Sequence, residues 1–369
     1  MWNVGDGSSR SVFPLKWNAG DCPLRSTWTA SAAVWYNVPG SKTKKKPLEV
    51  QDMDIDILLA LQEFREGAGA FLTDFFLKMS FIGEMNVVLI IIGVIYWCVS
   101  KEFGNYLLMG WSGNRVLNGL LKVTVCAYRP WIRDPRIIPN SQAMAEATGY
   151  SFPSGHSMNA ASLYGGGAIR KELPRLLRIV LGLIVVLIAF SRNFLGVHTP
   201  QDILIGAGSG LLVMWLIGRL LKWVDAHPGK DIPVMCIGIA IAAAVAVFAA
   251  VKHYPEDYDA AGKLLVDGQK MANDTYKGVG WCIGFFAGWV LERRFVGFST
   301  DVPMAARVTR FATGLLGCYA VSLVLIPLLK KWIPGAAGTI LTCFLQMFYV
   351  TFLFPWCIRY FETKGRKDK

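Results

Sequence analysis

Read for its apolar and polar positions, the chain falls into two unequal parts. Residues 1–52 show no clear period; they are rich in Ser, Gly, Trp and Asn and close on the basic run SKTKKKP at 41–47. They are expected to be a disordered N-terminal tail, with Met53 as the natural start. From Met53 the pattern changes abruptly. Leu58, Leu59, Leu61 and Phe64 recur at a helical spacing that suits an amphipathic helix lying at a membrane interface. Residues 53–83 are therefore read as amphipathic interfacial helices. Beyond them come apolar runs, several near the roughly 20 residues that cross a bilayer. They predict about nine spans, near 84–99, 104–125, 155–170, 176–192, 201–221, 233–251, 278–292, 309–329 and 337–357. The polar stretch 252–277 reads as a loop. Two blocks result: a core at 84–221, and C-terminal transmembrane helices with a basic cytoplasmic tail at 222–369.

Composition agrees with the pattern. Only 17% of residues are charged, against about 25% in a soluble chain, and mean hydropathy is +0.39. The fold class expected is all-α, a polytopic helical membrane protein in contact with a lipid bilayer. The net charge of +12 is scattered over many short loops, so it reads as membrane topology and not as a nucleic-acid surface. With alternating spans, Lys and Arg gather on the side that holds Lys101, Arg170–Arg178, Arg219–Lys230 and Arg359–Lys369. That side is expected to be cytoplasmic. The eight cysteines form no CxxC pair and sit mostly in apolar runs, so they read as small buried hydrophobes. No HExxH-type spacing suggests a metal, and no cofactor is implied. The sequence assigns no oligomeric state.

Three segments fall on the opposite, non-cytoplasmic side, and each carries groups that are costly at a span end. LKVTVCAYRP brings Lys122 and, seven residues later, Arg129 before Pro130. SFPSGHSMNA delivers His156 to the start of a small-residue helix. SRNFLGVHTPQD holds Arg192, His198 and Asp202. Lys122, Arg129 and Arg192 together suit a phosphate clamp, Arg by bidentate contact and Lys as a point charge. Ser154 is a good N-cap residue, and free backbone N–H groups after it, beginning at Gly155, bind anions. Thr199 and Pro200 read as N-cap and first helical residue, which lets Asp202 turn back onto His198. A carboxylate on one imidazole nitrogen frees the other as a nucleophile. Arg115 lies inside the second span, where a charge is usually functional or paired. Arg133 and Arg136 follow the first motif and are expected to line its loop.

At these residues the sequence resembles the type 2 phosphatidic acid phosphatase superfamily, whose signature is Lys-x6-Arg-Pro, Pro-Ser-Gly-His and Ser-Arg-x5-His-x3-Asp. Every position matches, in order and spacing, between residues 122 and 202. The resemblance implies a six-helix phosphatase core, here with extra C-terminal spans, and a site near the outer surface. It implies that His198 attacks phosphorus to form a phosphohistidine, that Asp202 orients it, and that His156 protonates the leaving group and then activates water. Lys122, Arg129, Arg192, Ser154 and the Gly155 amide would hold the phosphoryl oxygens, without a metal. The span count is similar to glucose-6-phosphatase. The wording TGYSFPSGHSMNA is closer to the sphingosine-phosphate phosphatase and bacterial lipid phosphatase branches.

The function expected is therefore hydrolysis of a membrane lipid phosphate or diphosphate at the outer face of a bacterial plasma membrane. Phosphatidate, phosphatidylglycerol phosphate, undecaprenyl diphosphate and long-chain base phosphates are the candidate substrates. A soluble sugar phosphate, phosphoryl transfer to a lipid acceptor, and a non-catalytic transporter are the alternatives.

Overall fold

The computed structural model of the chain describes residues 51–259 and 261–367. The tail reading for residues 1–50 lies outside the described residues. Regular structure among the described residues is helical, apart from one bridge between Tyr258 and Leu264. In chain order the helices are α1 (Gln51–Gly67), α2 (Gly69–Phe81), α3 (Met85–Val94), α4 (Lys101–Val125), α5 (Pro130–Arg133) and α6 (Ser141–Glu146). There follow α7 (Gly155–Ala160), α8 (Arg175–Phe194), α9 (Pro200–Ala226), α10 (Asp231–Val251) and α11 (Gly268–Leu291). The last two are α12 (Met304–Trp332) and α13 (Gly335–Phe361). A π-helical turn, Ile95–Val99, extends α3; another, Ala161–Gly165, carries α7 on to Gly166–Ala168.

A helix stands at each of the nine predicted spans, but they are not equivalent. Among the described residues, α8, α9, α10, α12 and α13 are each long and apolar enough to cross a membrane alone. The helices α2 and α3 qualify only as a pair, bent by 54°. Part of the segment read as interfacial thus joins the first span. Of the remaining three, α7 is short and interrupted, and α4 and α11 carry polar residues and glycines along their length. Two of them explain why: α4 and α11 form the middle of the bundle, where Trp111 of one packs on Trp281 of the other at 5.4 Å between rings. A helix enclosed by helices presents its polar groups to protein and not to lipid, so it need not be apolar all round.

The helix α11 also starts about ten residues before the predicted span. Asp267 caps it, its side chain accepting from the Lys270 N–H at 3.1 Å. Its polar first turns are steadied by Lys277–Asp274 at 2.7 Å. The loop predicted at 252–277 is therefore helical from Gly268 onward. Further along, Gly280, Gly284 and Gly288 repeat every four residues and face α13. A Cβ on Gly280 would lie 2.4 Å from the Ile340 carbonyl oxygen, and one on Gly284 2.4 Å from that of Phe344. Close backbone approach replaces the hydrophobic driving force that lipid removes.

The C-terminal ends of α4 and α8 and the N-terminal ends of α7 and α9 meet at one end of the bundle. The other end carries ion pairs, Lys101–Glu292 at 3.2 Å and Arg294–Asp231 at 2.7 Å. Gly284→Ala should lower the thermal midpoint in detergent by several degrees, because overpacking against a backbone costs about 1–3 kcal/mol. Gly182→Ala, where a Cβ meets nothing within 4 Å, should be neutral or stabilising. Equal shifts in a thermal melt would refute this account of the α11–α13 contact.

Candidate active site

The chain leaves α4 through Cys126, a non-glycine residue in the left-handed region at φ 53°. The Cys126 N–H closes the helix on the Lys122 carbonyl at 3.0 Å. This turn redirects the backbone so that Arg129 points back over the helix end. Lys122 Nζ donates to the Tyr150 carbonyl at 2.5 Å. Arg129 is buried and spends its guanidinium on carbonyls: Nε to Gly149 at 3.0 Å, and one terminal nitrogen to Val197 at 2.9 Å. That same nitrogen lies 2.9 Å from His198 Nε2.

A guanidinium can only donate, so His198 Nε2 accepts and carries the lone pair. The ring proton is then on Nδ1, which faces Asp202 Oδ2 at 3.2 Å. The same carboxylate oxygen accepts from Ser151 Oγ at 2.5 Å and from the Thr199 N–H at 2.9 Å. Thr199 and Asp202 form a capping box at the start of α9, as the spacing predicts. Burial, and after it the charge of Arg129, push the His198 imidazole well below its ordinary range, against the pull of Asp202. Burial also brings the Arg129 guanidinium down to about 9, with Asp202 opposing and Arg192 adding to the shift. His198 is thus neutral, and Arg129 is charged, at neutral pH.

The second motif lies against the third. The Ser154 N–H donates to the Asp202 carbonyl at 3.0 Å. A side chain on Gly206 would come within 2.9 Å of the Ser154 carbonyl oxygen, so glycine there lets α9 approach this turn. Ser154 caps α7, its Oγ accepting from the Ser157 N–H at 3.3 Å, and Gly155 is the first residue of that helix. Asn118, one turn before Lys122 on α4, donates to the Pro153 carbonyl at 3.3 Å. His156 lies within electrostatic range of Arg192, His198, Arg129 and Lys122. All eight residues singled out from the sequence therefore come together at this end of the bundle.

Two of the motif residues there hold unmet hydrogen-bonding capacity. Arg192 is fully buried and donates from one terminal nitrogen to Ser80 Oγ. Its Nε and its second terminal nitrogen are buried without a protein partner, and so is His156 Nε2. Buried donors without acceptors cost about 1–3 kcal/mol each, more when charged. Three cations, Lys122, Arg129 and Arg192, share the site with the carboxylate of Asp202. Outside them Glu146 and Glu84 lie within electrostatic range of Arg192 and of each other. An anion with several acceptor oxygens would meet the open donors and balance the charge. Among the described residues no three His, Cys, Asp or Glu side chains converge as a metal site.

Sequence reasoning missed several members. Ser151 bridges toward both His198 and Asp202, and Ser80 holds Arg192 from a helix 112 residues away. Ser151 could have been suspected from its place just before the Pro-Ser-Gly-His turn; Ser80 leaves no signal. Arg133 is taken up by Asp54, at 2.7 and 3.2 Å, and Arg136 pairs with Asp134 at 2.7 Å. Both line the loop, as expected. Through Asp54, Ile55, Leu58 and Arg65 the helix α1 lies on the loop after the first motif; Arg65 donates to the Ile138 and Phe194 carbonyls at 2.5 and 3.0 Å.

Comparison with known sequences places these residues in a family. The PAP2 superfamily model matches residues 103–226, and a model for a PAP2 superfamily phosphatase transmembrane extension matches residues 276–366. The chain belongs to the PAP2 superfamily. Phosphatidylglycerophosphatase B of Bacillus subtilis (strain 168) is 36% identical over 138 residues. That match covers 35% of this chain and 64% of the relative's length. A crystal structure of a transmembrane PAP2 type phosphatidylglycerolphosphate phosphatase from Bacillus subtilis is 27% identical, with a TM-score of 0.41. It covers 56% of this chain and 97% of its own. In this PAP2 chain the extension makes up most of the sequence beyond the core.

The lowered His198 position has a testable sign. A folded-state value below the unfolded value of about 6.5 gives stability that is present above that pH and is lost as pH falls. The thermal midpoint of the wild type should fall more steeply below pH 6.5 than that of His198→Asn. Parallel pH profiles for the two proteins would show that His198 is not held neutral by the fold.

Proposed function

We propose that the chain is a membrane phosphatase that hydrolyses a lipid phosphate through a phosphohistidine on His198. One observation carries the reading: buried cations and an unpartnered His156 nitrogen surround a neutral, aspartate-backed histidine whose reactive nitrogen is Nε2. The phosphoryl oxygens would accept from Arg192, Lys122 and Arg129 and from the amide of Gly155, with Ser154 capping the helix behind it. Arg129 would then exchange His198 Nε2 for phosphate, which frees the lone pair for in-line attack. As the N–P bond forms, the bond from phosphorus to the leaving oxygen breaks. The negative charge of the bound phosphoryl group offsets the neighbouring cations, so that His156 takes up a proton with the substrate and supplies it to that oxygen. His156, now neutral, takes a proton from water; the water oxygen bonds phosphorus and the N–P bond breaks. Asp202 orients the imidazole throughout and stabilises its cationic form. The clamped cations supply the charge stabilisation that a metal provides elsewhere.

The relative's name, phosphatidylglycerophosphatase B, makes phosphatidylglycerol phosphate the first substrate to test, with phosphatidate beside it. The Lys and Arg bias favours a site on the extracytoplasmic face of a bacterial plasma membrane.

Purified protein in detergent with EDTA should release phosphate from a lipid phosphate, and His198→Ala should lose at least about 10⁴-fold in rate. Asp202→Asn should lose about 10³–10⁴-fold through the wrong tautomer. Release from glucose 6-phosphate with none from any lipid phosphate would instead favour a soluble ester. Undiminished release by His198→Ala would sink the nucleophile assignment.

A further inference from the structure

A cavity of about 760 Å³ opens between α3, α12 and α13, and neither catalytic histidine lines it. Its floor includes the buried Trp97 and Trp281. Its rim carries apolar side chains left exposed by the protein, Ile90, Phe311 and Leu315 among them. The outer wall is α12, of whose most apolar stretch only 6% is buried in the protein. The deep polar groups are already engaged: Gln346 accepts from Trp281 Nε1 at 3.1 Å and donates to Ser322 Oγ at 3.4 Å. Nothing in the cavity asks for a charged or strongly polar ligand. Its volume lies in the range of about 300–1,000 Å³ of small-molecule sites.

Position and length narrow the occupant. The cavity follows α3 from Met85 to Trp97, about 18 Å at 1.5 Å per residue. That is close to the roughly 15 Å of hydrocarbon in one leaflet. Its upper end, at Met85 and Asn86, adjoins Glu84, which lies within electrostatic range of Arg192. Just before the α2–α3 bend, Ser80 accepts from Arg192, and the Gly83 carbonyl accepts from Asn159 at 3.2 Å. The groove therefore begins beside the anion cradle and runs down into the layer where acyl chains lie. An empty apolar groove opening on lipid is filled by hydrocarbon, since dispersion contacts are otherwise lost on its walls.

We propose that the transmembrane extension forms, with α3, a groove that takes one hydrocarbon chain of the lipid whose phosphoryl group occupies the cradle. The inference rests on the lipid phosphatase reading above, and adds to it a role for α12 and α13 in chain selection. Substrates with a chain long enough to reach Trp97 are preferred over short-chain analogues.

The test compares dioleoyl and dihexanoyl phosphatidate on wild type, Gly93→Phe and Leu315→Trp. Gly93 lines the groove, and a Cβ there meets only the Trp97 ring, at 3.7 Å or more, so a larger side chain grows into the cavity. Loss of burial for two methylenes already corresponds to about tenfold. The variants should thus lose at least tenfold in kcat/KM on dioleoyl phosphatidate and keep wild-type values on the dihexanoyl analogue. Equal losses on both lipids, or no loss, would overturn the groove. A dioleoyl phosphonate with a diazirine at the chain end gives a second readout that needs no turnover and is applied to the wild type. Its label should map to α3, α12 or α13, and excess dioleoyl phosphatidate should protect. Label elsewhere, or equal protection by phosphatidylcholine, would reject a substrate chain, the latter in favour of a resident bilayer lipid. Wild type inactive on both phosphatidates and on phosphatidylglycerol phosphate, yet labelled in the groove, would instead defeat the phosphatase reading and leave the groove standing.

Discussion

Three cations must be kept charged at one end of a bundle set in lipid, and that requirement shapes the surrounding backbone. An isolated charge leaving water loses far more than neighbouring dipoles easily restore. Here the restoration comes from carbonyl groups: Thr148, Gly149, Tyr150 and Val197 all turn toward Lys122 or Arg129. The segment from Cys126 to Ser151 is therefore neither spacer nor lid. It is a solvation shell made of backbone, held in place by α1 through the Asp54–Arg133 pair and the Arg65 contacts. The same field settles the state of His198, because an imidazolium beside Arg129 and out of water is disfavoured. What the carbonyls leave unmet, on Arg192 and His156, is the part of the shell that an anion completes.

Much of this was legible in the sequence, and the reason is local. Motif spacing maps directly onto helix ends: Thr199 to Asp202 is a cap, Ser154 to Ser157 is a cap, and Asn118 to Lys122 is one turn. Hydropathy located the helices for the same reason, since lipid exposure writes an apolar stripe into each. It failed where lipid is absent. The helix α11 starts among the polar residues Gln269, Lys270 and Asp274, the first two exposed, so hydropathy misses its first turns. Ser80 and Ser151 were invisible for a related reason. A serine is an ordinary helix or loop residue until the fold brings Arg192 or Asp202 to it. The apolar set of α1 is visible in the sequence, but not that Leu58, Leu59 and Leu61 settle with Ile137 and Trp131 while Phe64 stays exposed.

The extension is tied to the core by contacts that start at the helix bearing Lys122. On α4, Arg115 lies 5.8 Å from the ring of Trp281 on α11, in cation–π range. Trp281 donates to Gln346 on α13, and Gln346 reaches Ser322 on α12. The glycine stripe of α11 presses α13 close enough for that bond to form. Arg115 thus has a reason to sit inside a span without taking part in the cradle. Its charge is spread over an aromatic face and lies within range of Asp274, the acid that also pairs with Lys277. Removing the extension would leave Arg115, Trp111 and one side of α4 open to lipid. The two blocks that hydropathy separates near residue 222 are, in packing terms, a single structure whose central helices belong one to each.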